Sequence, residues 1–117
     1  MTETTTEEFA RKNLELAAEY ISKHGWHQGD YYSYRATDAE RLGIPAESHP
    51  PACALGAIFA TAPDRNRAGM RTVPLVAMNA LAKSLGLGVP GLIGVWNDDL
   101  NTTAEDVILA LKKAATK

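Results

Sequence analysis

Residues 52–60 read Ala-Cys-Ala-Leu-Gly-Ala-Ile-Phe-Ala, nine positions without one polar side chain. Proline stands at positions 50 and 51 before the run and at 63 after it, where it is tolerated in a first helical turn or ends a helix. The run predicts a helix over 52–62, capped by Ser48. A helix that is apolar all round has to be covered on every side, so the rest of the chain must wrap it. Ala54, Gly56, Ala57 and Ala60 would let neighbours approach closely, while Leu55, Ile58 and Phe59 fill space. With 117 residues there is material for one domain, residues 1–117, and one core. The lone cysteine, Cys53, offers no internal disulfide to help hold it.

The covering elements are expected to be helices. Thr5 with Glu8 forms a capping box ahead of a stripe of Ala10, Leu14, Ala17 and Ile21, and Gly25 can close that helix. This predicts a helix over 6–24. Periodicity is then lost over residues 26–51, a long connection containing Tyr31, Tyr32, Tyr34, Gly29, Gly43 and Pro45. Its tyrosines suit a short β-hairpin, and Thr37 with Glu40 suits one helical turn. A polar link at 64–71 leads to Thr72 and Pro74, which open a helix with a stripe of Leu75, Met78, Ala82 and Leu85. Gly86 and Gly88 end it. Residues 90–98 suggest a short helix carrying Leu92, Ile93, Val95 and Trp96. Thr102 with Glu105 then announces a last helix over 103–116, with a stripe of Val107, Ile108, Leu111 and Ala114. The expected fold is all-α, or mainly α with a short hairpin: a compact bundle of four to five helices around a buried central one.

Charge narrows the function classes. The formal net charge is −2, and Arg65, Arg67 and Arg71 gather in one link diluted by Asp64, so no basic face points to nucleic acid. No apolar stretch reaches the length of a membrane helix, and the Thr- and Glu-rich start lacks the basic and apolar regions of an export signal. The expectation is a cytoplasmic protein without membrane or nucleic-acid partners.

Candidate chemistry centres on Cys53. Near a helix N-terminus its thiolate would be favoured, with His49 or His27 as base and Asn97 or Asp98 orienting the histidine. The apolar surroundings of Cys53 work against such a thiol centre. His24, His27, His49 and Cys53 have spacings that zinc accepts, but Gly25 and Trp26 interrupt the first pair, and no metal or other cofactor is expected. Residues 97–101, Asn-Asp-Asp-Leu-Asn, fail the calcium-loop template because Thr102 and Ile108 replace its glycine and glutamate. Trp26, Tyr31, Tyr32 and Tyr34 are candidate contact residues for a macromolecular partner.

Three motifs occur in a fixed order: Gly25-Trp26 with Gln28-Gly29, Cys53-Ala54-Leu55-Gly56-Ala57, and Trp96-Asn97-Asp98 before the capped last helix. In this the chain resembles a family of small proteins of unknown function from actinobacteria and their bacteriophages. The resemblance implies a cytoplasmic setting, phage-encoded or bacterial, and supplies no activity to carry over. Physically, Cys53 and Gly56 suit crowded packing and Trp96 an apolar anchor, while Asn97 and Asp98 can satisfy main-chain groups where helices begin and end. The reading that follows is a non-enzymatic helical binding or adaptor protein, phage-encoded or bacterial, that contacts a host protein. Its alanine-rich surfaces would also allow a homo-oligomer. The alternative is a cysteine hydrolase or transferase using Cys53, His49 and Asp98.

Overall fold

A computed structural model describes residues 6–29, 51–63 and 72–116. Among these are five helices: α1 (Thr6–His24), α2 (Ala54–Thr61), α3 (Val73–Ser84), α4 (Leu92–Asp98) and α5 (Ala104–Ala115). The expected all-α bundle is what forms, and no strand occurs among the described residues. The tyrosines proposed for a hairpin, the Thr5 and Ser48 caps, and the arginine link lie outside the described residues.

α1 starts and stops where its sequence signals place it. Glu7 and Glu8 sit at its positive end and Lys23 and His24 at its negative end, each favoured by the helix dipole. Its apolar stripe makes it the longest packing surface in the molecule, in contact with α2, α3 and α5. α3 also packs on α5 and α2, and α4 closes one end against α2 and α3. The core runs through Leu14, Ile58, Leu81, Ile93 and Leu111, all fully buried. Gly25 ends α1 with φ of 101°, a conformation that side chains resist. A Cβ there would lie 3.4 Å from the Pro51 ring, close to van der Waals contact, so the backbone conformation is the main reason for glycine.

Several expected boundaries move. α2 begins at Ala54, two residues later than predicted, because Ala52 is held in an isolated parallel bridge to Trp26. Its main chain is already committed there: Ala52 N donates to Gly25 O at 3.1 Å and His27 N to Ala52 O at 3.0 Å. Cys53 becomes the N-cap, with Sγ accepting from Gly56 N at 3.3 Å. Thr72 precedes α3 but makes no side-chain cap, and Leu75, expected in the buried stripe, faces outward while Val73, Ala77 and Leu81 face inward. α4 starts at Leu92 rather than Pro90. The last capping box uses Thr103 and Asp106, one residue beyond the expected pair.

Candidate functional site

The three sequence motifs meet at one buried side chain, Asn97, in the last turn of α4. Its Oδ1 accepts from Trp26 Nε1 at 2.8 Å and from Ala54 N at 3.0 Å. Ala54 N is one of the unpaired donors that every helix start exposes, so Asn97 caps α2 from a distant element. Its Nδ2 donates to His27 O and to Asp98 Oδ1, both at 3.1 Å. Both donors and both acceptor positions of the amide are thereby used.

Neighbours complete the node. Gly29 N donates to Asp98 Oδ1 at 2.8 Å, tying the segment after α1 to the end of α4. Gln28 Nε2 donates to Asn97 O at 3.1 Å and Asp99 O at 3.0 Å, satisfying carbonyls that the end of α4 leaves open. Thr102 Oγ1 donates to Trp96 O at 2.7 Å. The indole of Trp96 packs half-buried against the core. A second polar contact lies deeper, where buried Asn13 donates through Nδ2 to Ile58 O and Thr61 Oγ1, each at 3.0 Å.

Cys53 sits beside the node with 5% of its surface exposed. Burial pushes its thiol above the ordinary value; the Gly56 N–H opposes this, and the charge of Asp98 adds to the rise. The neutral thiol is thereby favoured, and its Sγ serves as the N-cap of α2. His27 enters the node through its carbonyl, and His49 lies outside the described residues. Trp26 is half-buried with its N–H committed to Asn97, and Tyr31, Tyr32 and Tyr34 lie outside the described residues. Among the described residues no three His, Cys, Asp or Glu side chains gather as metal ligands, and no helix is long and apolar enough to cross a membrane. The described residues lining a recess of about 440 Å³ are Ala80, Lys83, Ser84 and Ala114, and these alone form no convergent catalytic set.

Sequence reasoning did not find an outward apolar cluster next to this node. Val89 is 55% exposed, Leu92 43%, Val95 69% and Leu100 96%. Leu92, Val95 and Asp98 follow one another at three-residue spacing on the side of α4 away from buried Ile93 and Asn97. That spacing was readable, but α4 carries apolar residues on both sides, and only the bonds of Asn97 decide which side turns in.

No curated protein and no solved structure matches the chain. Its ordered motifs converge on a helix-capping node within a five-helix bundle, and over residues 5–117 the sequence matches the model of a family of unknown function, DUF6197, to which the chain therefore belongs.

Proposed function

We propose that this chain is a non-enzymatic binding or adaptor protein that contacts another protein in the cytoplasm, in an actinobacterium or as a factor of one of its bacteriophages. The observation that carries the reading is a run of exposed apolar side chains in and around α4: Val89, Leu92, Val95 and Leu100. Single exposed apolar side chains are ordinary, but four within twelve residues form contact material. The node beneath holds α4 rigidly through Asn97, so the cluster is presented preformed, which lowers the ordering cost of binding. Residues 86–104 include Asp98 and Asp99 and no lysine or arginine. The complementary partner segment is therefore apolar with basic flanks.

The proposal extends to Tyr31, Tyr32 and Tyr34, residue types that often anchor interfaces. The reading is preferred to a cysteine hydrolase or transferase because burial disfavours the Cys53 thiolate such an enzyme would use. Capture from an actinobacterial lysate by the intact protein, by Val95→Ser/Leu100→Ser and by Tyr31→Ala/Tyr32→Ala tests the reading. A protein retained by the wild type and lost with the first variant is the expected result. Equal retention by all three, or no specific capture, overturns it.

A further inference from the structure

The outer face of α5 carries a pattern unrelated to the α4 cluster. Val107, Leu111, Ala114 and Ala115 turn inward, leaving Glu105, Asp106, Leu109, Lys112 and Lys113 exposed along one stripe. The signs are segregated, with acids in the first turn, lysines in the last, and Leu109 midway between them. Side chains pair within a helix at spacings of three or four, whereas these acids and lysines stand six to eight residues apart. Among the described residues Glu105, Lys112 and Lys113 accordingly have no ion-pair partner. Leu109 is 57% exposed at the centre.

We infer that α5 is a self-complementary surface that pairs antiparallel with α5 of a second copy, about a two-fold axis passing beside Leu109. In that register Leu109 meets Leu109 of the second copy, and because a two-fold keeps each residue on its own side of the axis, Glu105 faces the copy's Lys112 and Asp106 its Lys113. Each copy contributes the same stripe, as a two-fold interface requires, and all four charged positions on each side find opposite partners. A parallel arrangement would set acid on acid and lysine on lysine, so charge fixes the orientation. Antiparallel helix dipoles favour the same choice.

Sedimentation of the full chain over a concentration series at low salt reads the association directly. A concentration-dependent dimer is expected. Glu105→Lys alone and Lys112→Glu alone should each weaken it at least about fivefold, since each turns two attractions into repulsions. The double variant E105K/K112E restores opposite charges across the axis and should return within about twofold of the wild type. Circular dichroism on each variant verifies that α5 remains helical. In a Cys53→Ala background, Leu109→Cys should oxidise to a disulfide-linked dimer. A chain that stays monomeric throughout overturns the inference and leaves the stripe to solvent or to a different protein. A dimer indifferent to the single reversals, or not restored by the double one, overturns it equally.

Discussion

Asn97 shows how much one amide can hold when all of its hydrogen-bonding positions are used. Asn97→Ala leaves Trp26 Nε1 and Ala54 N without their acceptor and His27 O without its donor, inside a closed site. Each orphaned group costs roughly 1–3 kcal/mol, so urea unfolding should show a loss of about 3 kcal/mol or more. A loss under about 1 kcal/mol would mean that water replaces the amide at little cost. Cys53 gives a prediction of a different sign. Its thiol titrates higher when folded than when unfolded, so its contribution is fully present below the ordinary thiol value of about 8.5. As pH rises past that point the unfolded chain ionises first, and stability falls by up to about 1.4 kcal/mol per pH unit until the folded thiol ionises too. Urea unfolding at mildly alkaline pH, wild type against Cys53→Ala, isolates this slope; parallel slopes would show that the thiol is solvated. Both residues stood out in the sequence as parts of short motifs. Their meeting did not, because a capping bond between residues 54 and 97 has no local signature.

At the scale of elements, the chain announces helices better than it announces their first residues. α1 is legible at both ends because a stripe, charged termini and a glycine agree. The start of α2 is not, because the bridge that occupies Ala52 comes from a distant segment. α5 is instructive: Thr102 and Thr103 each have a carboxylate three residues on, so two capping boxes compete in the sequence. The structure uses Thr103, whose backbone is extended as an N-cap requires, while the Thr102 hydroxyl turns to donate to Trp96 O at 2.7 Å. Thr103 Oγ1 accepts from Asp106 N at 3.2 Å while Asp106 Oδ2 accepts from Thr103 N at 3.0 Å. Removing that cap with Thr103→Ala should lower stability by about 1 kcal/mol, measured by thermal or urea unfolding. Thr103→Ser, which keeps the hydroxyl, should recover most of it; equal loss in both variants would assign the effect to packing.

For the whole molecule the central question is whether its apolar residues divide into a core that holds the fold and a face that does not. Composition cannot answer this, since Leu14, Leu111, Val95 and Leu100 are the same kinds of residue. The packing of α1 against three other helices makes Leu14 a shared contact, while Val95 and Leu100 stand outside the shell. Leu14→Ala should therefore cost about 2–5 kcal/mol, the lost transfer energy plus the cavity left between helices. Val95→Ser and Leu100→Ser should each stay within about 0.5 kcal/mol of the wild type, because water already reaches them. Urea unfolding of the three variants decides the matter. If the two serine substitutions cost as much as the leucine truncation, the cluster is part of the core and a binding face at α4 loses its basis. If they are neutral, Val95 and Leu100 stand on a surface that gains no stability from them. Such a face, free of any duty in folding, is what the proposed contact at α4 requires, and the bonds of Asn97 tie the helix that carries Leu92 and Val95 to the rest of the bundle.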